Sequence, residues 1–415
     1  MSSCERARRC FAHALAALDP RALVRERASR LAPAPDGRER VIAAGKAAVP
    51  MLAGWLDAQA TPAEIVLVHP AGTPGLPPDL AQRCTDVLCA FVAGHPEPDA
   101  VSLSAGAAAL ALARRCGPQT PLTVLLSGGA SALMEVTWQG GLEPLRERNR
   151  LLLGSGAAIG EINCIRKHGS ALKGGRLALA ASGAQQRTLI LSDVPPGAWA
   201  DVASGPTCPD ASTNAIFAAA WRRWLPGAPP EYPETPKPGD TVFLRSTWHC
   251  LADNLDACAA LARAARAQGY EPAVDSTTDE WEEERAAEYL LQRWRALGEA
   301  QPRACLIAGG EVRVRLRAGH GRGGRNLALA LRMAIALDGQ PGCFLSAGTD
   351  GVDGSSDAAG ACVDGSTAAR IRAAGLDPAA CLERQDAHAP LAAAGALVVT
   401  GPTGNNLRDL RLFCG

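Results

Sequence analysis

Residues 41–58 read VIAAGKAAVPMLAGWLDA, and this stretch decides the fold. The apolar run Val41–Ala44 predicts a buried strand, Gly45 a turn, and Lys46–Ala58 a helix. A strand that is apolar on both faces and leads straight into a helix is typical of a parallel sheet covered by helices on both sides. The same strand–turn–helix unit should then recur along the chain.

Strand-like and helix-like segments do alternate through the first half of the sequence. Further strands are predicted at Ile65–Val68, Leu122–Leu126 and Thr188–Leu191, and further helices at Val101–Cys116 and Asn149–Ile159. This alternation implies right-handed crossovers and an α/β fold whose N-terminal sheet is doubly wound and mostly parallel. Ligands of such sheets bind at the carboxyl ends of the strands, so the loops after the strands are the first candidates for a site.

A chain of 415 residues exceeds one ordinary core, which predicts two domains. The proline-rich segment Leu225–Asp240 is the clearest linker, because proline can neither join a ladder nor continue a helix. We place the N-terminal domain at residues 1–236 and a smaller α/β domain at residues 237–415. The strands predicted in the second domain are Thr241–Leu244, Ala304–Ala308, Val312–Arg317, Gly342–Ser346 and Leu397–Thr400. Its predicted helices are Asn254–Gln268, Thr278–Leu297 and Asn326–Leu337.

Composition narrows the class of protein. The 42 basic and 42 acidic residues balance, so no overall field favours nucleic acid or an anionic membrane as partner. The first 20 residues read as an amphipathic helix and carry no export signal. The 14 cysteines are scattered, without zinc-ligand spacing, and are interpreted as buried thiols of a reducing compartment. We expect a cytoplasmic enzyme that acts on small metabolites.

Two loops after predicted strands of the first domain could bind an anion. Gly45-Lys46 opens a helix, where backbone N–H groups and the helix dipole attract negative charge, although such a lysine is more often only solvated. The cluster Ser127-Gly128-Gly129-Ala130-Ser131 can present successive N–H groups as an anion nest, or it can simply be a tight turn. Both alternatives stay open for each loop.

A basic stretch and an aspartate complete the candidates of the first domain. Arg166 and Lys173 are seven residues apart, which would place them on one face of a helix, and arginine can bind a carboxylate with two hydrogen bonds. The alternative is a solvated basic face, and His168 by itself indicates no catalysis. Asp193 follows a buried strand and could deprotonate a hydroxyl, hold Mg²⁺ or cap the next segment.

The second domain has three glycine-rich segments with charged residues. Gly309-Gly310-Glu311 lies between two predicted strands, and Ala318–Asn326 brings Arg322 and Arg325 to a helix start. Ser346–Asp364 carries several aspartates, but its spacing does not match a calcium-binding loop. The candidate nucleotide-binding residues in these segments are Gly309, Gly310, Glu311, Gly324, Asn326, Gly348, Asp350 and Asp353.

Eight motifs in order resemble one family over nearly the whole chain. They are GKAAVPM, AGHPEPD, LLSGGASAL, IRKHGSALKGGRLA, SDVPPG…ASGPTCPD, GGEVRV…GRGGRN, AGTDGVDGSSDAAGA and TGPTGNNLRDL. Together they resemble the MOFRL-type glycerate 2-kinases, which are often labelled hydroxypyruvate reductases. The resemblance implies a Rossmann-like N-terminal domain, a C-terminal MOFRL domain and an active site in the cleft between them. It also implies ATP and Mg²⁺ as co-substrates and D-glycerate as the acceptor that becomes 2-phosphoglycerate, and it is compatible with a homodimer.

The resemblance also implies roles for single residues. The catalytic residues would be Lys46, Asp193 and Arg325, with Lys46 and Arg325 neutralising the transferred phosphoryl group and Asp193 acting on the acceptor hydroxyl. The acceptor carboxylate would be bound by Ser127, Gly128, Gly129, Ser131 and Arg166. The metal ligands are predicted to be Asp193 and Glu311, with Asp353 as the alternative to Glu311. The chain departs from the family pattern at Ala130, at His69–Gly72 and at Leu407-Arg408, so the acceptor could differ from glycerate.

Three other functions remain as alternatives. A related kinase would use another small hydroxy acid as acceptor. An NAD(P)H-dependent hydroxypyruvate reductase would need G-x-G-x-x-G after a strand, a spacing that the glycine clusters after the strands do not have. A non-catalytic sugar-phosphate sensor on the same fold would bind ligand without ATP turnover.

Overall fold

The computed structural model describes residues 2–32 and 38–415. The chain forms two compact units, Pro20–Leu251 and a second unit in which the chain up to Asp19 joins Ala252–Gly415. This division differs from the predicted boundary after residue 236. Helix α1 (Ser3–Ala17) buries its apolar face, including Cys10 and Phe11, in the C-terminal unit, and the strand Ser246–Ala252 joins the sheet of the N-terminal unit.

The sheet of the N-terminal unit has the strand order β3-β2-β1-β4-β5-β6. Its strands are β1 (Arg40–Ala44), β2 (Glu64–Pro70), β3 (Leu88–Ala93), β4 (Leu122–Leu126), β5 (Gln186–Leu191) and β6 (Ser246–Ala252). Strands β1 to β5 run parallel. The order reverses between β1 and β4, and that reversal is the point where ligands bind in doubly wound sheets. The predicted parallel sheet is confirmed.

Helices pack around this sheet. They are α2 (Pro20–Ala28), α3 (Ala48–Ala58), α4 (Pro78–Arg83), α5 (Ala100–Arg114), α6 (Ala130–Leu133), α7 (Leu142–Gly154), α8 (Ile159–His168), α9 (Arg176–Ala180) and α10 (Asn214–Trp224). The single helix predicted over Asn149–Ile159 is wrong. The chain leaves the helix at Gly154, passes Gly156 at a φ of 76° and starts α8 at Ile159. Glycine adopts that left-handed conformation without the steric cost of a side chain.

The sheet of the C-terminal unit is mixed, with the order β11-β10-β9-β12-β8-β7. Its strands are β7 (Glu271–Val274), β8 (Ala304–Gly309), β9 (Cys343–Gly348), β10 (Gly360–Asp364), β11 (Leu397–Val398) and β12 (Asp409–Cys414). In the described part of this sheet β7 and β8 pair in parallel, and the other strand pairs are antiparallel. The last strand, β12, was not predicted, yet it lies between β9 and β8 in the middle of the sheet.

The helices of the C-terminal unit follow the prediction more closely than its strands do. After α1 they are α11 (Asn254–Ala267), α12 (Glu283–Ala300), α13 (Arg325–Ala336), α14 (Thr367–Ala373), α15 (Pro378–Glu383) and α16 (His388–Ala393). Two predicted strands are wrong. Residues Thr241–Phe243 form a 3₁₀ turn, and Val312–Arg317 contributes only an isolated bridge at Arg313.

Three cysteines far apart in sequence meet in this unit. The Sγ atom of Cys343 lies 3.3 Å from that of Cys4 and 3.4 Å from that of Cys362. Sequence spacing could not show this cluster, because it is made by the register of β9 and β10 and by the packing of α1. In the described part of the chain, no helix is both long and apolar enough to cross a membrane.

Candidate active site

The carboxyl ends of three neighbouring strands bring together the candidates of the N-terminal unit. Ala44 at the end of β1 pairs with Leu126 at the end of β4, which in turn pairs with Ile190 of β5. Lys46, the loop that starts at Ser127 and Asp193 follow these strand ends. The predicted residues therefore lie at one edge of the sheet, beside the point where the strand order reverses.

The loops after β1 and β4 are hydrogen-bonded to each other. The amide of Lys46 donates to the carbonyl of Gly128 over 2.9 Å, and the amide of Ala47 donates to Ser127 Oγ over 3.0 Å. Gly45 has a φ of 124°, and a Cβ there would overlap the Ser127 side chain. The amides of Lys46 and Ala47 are thus already used by the protein. An anion at this edge would be attracted mainly by the Lys46 side chain rather than by a helix start.

A histidine without a predicted role lies in the same place. Gly129 has a φ of 85°, and a Cβ at this position would be 3.1 Å from His95 Nε2 and 3.3 Å from Lys46 Cγ. The missing side chain therefore lets the imidazole and the lysine stem contact the loop. The only sequence signal for His95 is its place in the motif AGHPEPD.

The geometry assumed for the basic stretch is wrong in one respect. Helix α8 ends at His168, so Lys173 reaches the site through a turn and not along the same helix face. Lys173 Nζ donates to the carbonyl of Ser131 over 2.8 Å and to the carboxylate of Glu135, and both charged side chains are buried. Lys173 thus stabilises the loop after β4 through its hydrogen bond to Ser131.

Two of the other cations in this stretch form hydrogen bonds within the described part of the protein, and a third does not. Lys167 Nζ donates to Asp201 over 2.7 Å, and Arg176 donates to the carbonyls of Lys167 and Pro233. Arg166, by contrast, makes no hydrogen bond with any described residue of the protein. Arg166 was the predicted ligand-binding residue of this stretch. It is also the residue whose donors remain available for a ligand.

His168 is a buried core histidine. Its Nδ1 lies 2.8 Å from Asn214 Oδ1, its Nε2 lies 3.2 Å from Ser212 Oγ, and its ring stacks on Phe217. Burial lowers the pKa of His168, although the hydrogen bond to Asn214 and the charge of Asp210 oppose that shift. The neutral imidazole thus serves packing.

We expect a pH effect on stability from this burial. As the pH falls below the ordinary histidine pKa of about 6.5, the unfolded chain binds a proton that folded His168 resists, so the protein loses stability. The melting temperature of His168→Gln should fall less than that of the wild type between about pH 7.5 and about pH 5.5. Parallel decreases in the two proteins would contradict the expectation.

In the C-terminal unit, Arg325 forms ion pairs with two acids. Its Nε lies 2.6 Å and its Nη2 3.1 Å from the carboxylate of Asp409, and Nη2 also donates to Glu311 over 2.7 Å. The Asp409 side chain is 1% exposed. Burial raises the pKa of Asp409, but the charges of Arg325 and Arg411 outweigh it and leave that pKa below its usual range. Asp409 was not among the predicted site residues.

The predicted anion site at the start of α13 is filled by a carboxylate of the protein. Asp353 accepts hydrogen bonds from the amides of Asn326 and Leu327 over 3.1 and 2.8 Å, and it is 2% exposed. Gly324 leaves the space that this carboxylate needs, since a Cβ there would overlap Asp353. Burial raises the pKa of Asp353 to about 6. These contacts make the Asp353 carboxylate the cap of α13, with the Asn326 amide as one of its donors.

The glycine turn after β8 is held by charged side chains. The Glu311 amide donates to Asp279 Oδ1 over 2.9 Å, and the Nη1 and Nη2 atoms of Arg408 donate to the same carboxylate. Buried Arg411 donates to the carbonyls of Gly309 and Gly310. Arg408 is one of the departures from the family pattern, and it stabilises this turn by binding Asp279. The two residues are too far apart in the sequence for a local pattern to predict their contact.

The third predicted segment of this unit begins where β9 ends. Asp350 Oδ1 accepts a hydrogen bond from the amide of Val352 over 3.2 Å and would lie 3.0 Å from a Cβ at Gly348. Gly348 and Asp350 therefore share one tight turn at the end of a buried strand. Their part in nucleotide binding stays a prediction.

Comparison with known proteins agrees with this fold. A domain profile described as a domain of unknown function (DUF4147) matches residues 6–229, and the MOFRL family profile matches residues 304–409. A D-glycerate 2-kinase of Thermotoga maritima is 37% identical over 77% of this chain and 78% of its own length. A provisionally named hydroxypyruvate reductase of Agrobacterium vitis is 37% identical over 97% of this chain and 92% of its own. The crystal structure of a glycerate kinase from Thermotoga maritima superposes with a TM-score of 0.87 at 33% identity and covers 99% of each chain.

These likenesses and the doubly wound sheet define an α/β enzyme of the kinase class. The chain belongs to the MOFRL-type glycerate kinase family, some of whose members carry the hydroxypyruvate reductase label. The resemblance noted in the sequence is confirmed. The roles of the individual site residues stay predictions.

Proposed function

We propose that this protein transfers the γ-phosphoryl group of ATP to the 2-hydroxyl of D-glycerate, giving 2-phosphoglycerate and ADP. The observation that carries the proposal is the match over 99% of both chains to a glycerate kinase structure. The relatives named glycerate 2-kinase, one from Thermotoga maritima and one from Pyrococcus horikoshii, support the same reaction. The free state of all 14 cysteines is in keeping with a cytoplasmic location.

Phosphoryl transfer depends on positioning and on cations around the phosphoryl oxygens. We assign Lys46 to the negative charge on the transferred group and Arg166, with the Ser127–Ser131 loop, to the acceptor carboxylate. Asp193 orients the acceptor hydroxyl and takes its proton as the oxygen forms the new bond to phosphorus and the bond to ADP breaks. The support is that Lys46, the Ser127–Ser131 loop and Asp193 follow neighbouring strand ends of the N-terminal sheet, whereas Arg166 lies near the end of α8.

Two of the candidate carboxylates are suited to hold Mg²⁺ together with phosphate oxygens. Mg²⁺ prefers oxygen ligands and commonly binds through one or two carboxylates together with phosphate oxygens. Asp193 is a half-buried carboxylate at such an edge. The carboxylate of Glu311 already accepts a hydrogen bond from Arg325, and that of Asp353 caps a helix. We propose Asp193 and Glu311 as the metal ligands. That Lys46 and Arg325 serve the same phosphoryl group stays a prediction.

The reductase alternative is disfavoured by one observation. In dinucleotide-binding sheets the amides of the first strand–helix turn bind the pyrophosphate. Here the amides of Gly45, Lys46 and Ala47 donate to Val68, Gly128 and Ser127 instead. A cofactor that needs those amides would have to break these bonds.

A coupled assay of ADP release with D-glycerate and MgATP tests the proposal. The product should be 2-phosphoglycerate by phosphorus NMR, because the family resemblance selects the 2-hydroxyl. Oxidation of NADH or NADPH by hydroxypyruvate, without ADP release on glycerate, would establish the reductase instead.

A further inference from the structure

Arg148 on α7 carries buried hydrogen-bond donors that the protein leaves unused. Its Nε and Nη2 atoms are shielded from solvent and have no hydrogen-bond partner among the described residues. A guanidinium group presents its donors in a planar fork, and burying such donors unpaired costs free energy. An arrangement of this kind is stable when a ligand anion supplies the missing acceptors.

Helix α8 makes room for this side chain. Arg148 Nη1 lies 2.5 Å from the position that a Cβ on Gly169 would occupy, so the guanidinium packs against the backbone just after α8. The φ of Gly169 is −76°, a value open to every residue. Space, and not backbone conformation, is therefore what glycine provides here.

Arg148 belongs to a cluster of three cations. Burial and the nearby positive charge of Arg148 lower the pKa of Arg166, at the end of α8, and burial together with the charges of both arginines lowers the pKa of Lys173. Lys173 in turn donates to the carbonyl of Ser131, so the cluster adjoins the loop assigned to the acceptor. Lys173 thus links the arginines of this cluster to the proposed acceptor site.

The charges of this cluster do not balance. Glu135 faces it, but its carboxylate already accepts hydrogen bonds from Lys173, Ser170 and the amide of Val136. With Glu135 and Lys173 paired, the two guanidinium groups remain as two positive charges. The carboxylate of glycerate could neutralise only one of them.

We propose that Arg148 determines the acceptor specificity and that it binds a second acidic group, so the preferred acceptor is a 2-hydroxy dicarboxylic acid. The inference rests on the proposed kinase activity and refines its substrate class. Arg166 binds the carboxylate that glycerate also has, and Arg148 binds the carboxylate that takes the place of the glycerate hydroxymethyl group or extends from it. The reaction is unchanged, with phosphoryl transfer to the hydroxyl between them.

Steady-state kinetics with matched acceptors test this assignment. Hydroxymalonate is glycerate with a carboxylate in place of the hydroxymethyl group, and the malate enantiomers carry that carboxylate one carbon further away. We expect kcat/KM for at least one of these diacids to exceed that for D-glycerate by about tenfold or more. Arg148→Ala should lower the diacid value by about 100-fold and the glycerate value by less than about threefold.

Two further variants separate binding from folding. Gly169→Ala keeps the charge but displaces the guanidinium, and it should lower diacid kcat/KM in the same direction. Arg148→Lys should restore part of the diacid activity through charge alone. Arg150→Ala is the matched control, because Arg150 lies on the same helix, is 70% exposed and forms a surface ion pair with Glu147. It should leave the ratio of the two acceptors unchanged.

The outcomes distinguish this inference from the proposed function. Turnover of glycerate with no preference for a diacid, or equal losses on both acceptors in Arg148→Ala, would overturn the inference and leave the kinase intact. Turnover of a diacid without turnover of glycerate would support the inference and replace glycerate as the acceptor. No ADP release with any acceptor would overturn both.

Discussion

Replacement of Lys46 by alanine should lower kcat by about 10²–10³, the range seen when one preorganised charge-stabilising donor is removed. Lys46 follows the end of β1, and its stem contacts Gly129 of the loop after β4. Its backbone amide, which donates to Gly128, does not depend on the side chain. The substitution should therefore remove the ammonium group and leave the turn in place. ADP release at saturating D-glycerate and MgATP measures the effect.

Lys46→Arg is the informative companion variant. It keeps the positive charge, so part of the lost rate should return even though a guanidinium fork differs in shape from an ammonium group. The melting temperature of Lys46→Ala should stay close to that of the wild type, which would show that the loss is not one of folding. An alanine variant with near-normal kcat would exclude Lys46 from the phosphoryl site.

The N-terminal sheet was predictable because its strands are continuous apolar runs. Val41–Ala44 and Leu122–Leu126 are buried on both faces, and a parallel sheet covered by helices requires that pattern. Strand β12, by contrast, is not a continuous apolar run. Its sequence, DLRLFC, begins with charges that suggest a polar turn, and only the pairing of Asp409 with Arg325 and Arg411 makes their burial tolerable. Partners so distant in sequence are invisible to a local pattern.

The candidate site shows the same limit. Motifs found Lys46, the Ser127–Ser131 loop and Asp193, because these residues follow strands that are easily recognised. The cap that Asp353 forms on α13 could not be foreseen, since acceptor and donors are 26 and 27 residues apart. Arg148 lies in no motif, and its interest comes only from the burial of its donors and the space at Gly169.

The largest stability loss is expected from Asp409→Asn. The carboxylate accepts two hydrogen bonds from Arg325 and lies 3.6 Å from the buried guanidinium of Arg411. An amide of the same shape removes the negative charge, so fully buried Arg411 loses this charge partner and Arg325 keeps its ion pair with Glu311. Removing one partner of a buried ion pair typically costs about 3–5 kcal/mol. Because β12 is central, we expect the C-terminal sheet as a whole to lose protection.

Hydrogen exchange measured by mass spectrometry can localise that loss. Since about 1.4 kcal/mol corresponds to a tenfold change in an equilibrium constant, amides of β12 and α13 should exchange at least about 100-fold faster in Asp409→Asn. Asp357→Asn is the matched control, because the Asp357 side chain is 69% exposed and pairs with Arg322 at the surface, where ion pairs contribute about 0–1 kcal/mol. Similar exchange in the two variants would mean that the Asp409–Arg325 pair does not hold the sheet together. Arg325 would then be available for the phosphoryl role that the sequence predicted.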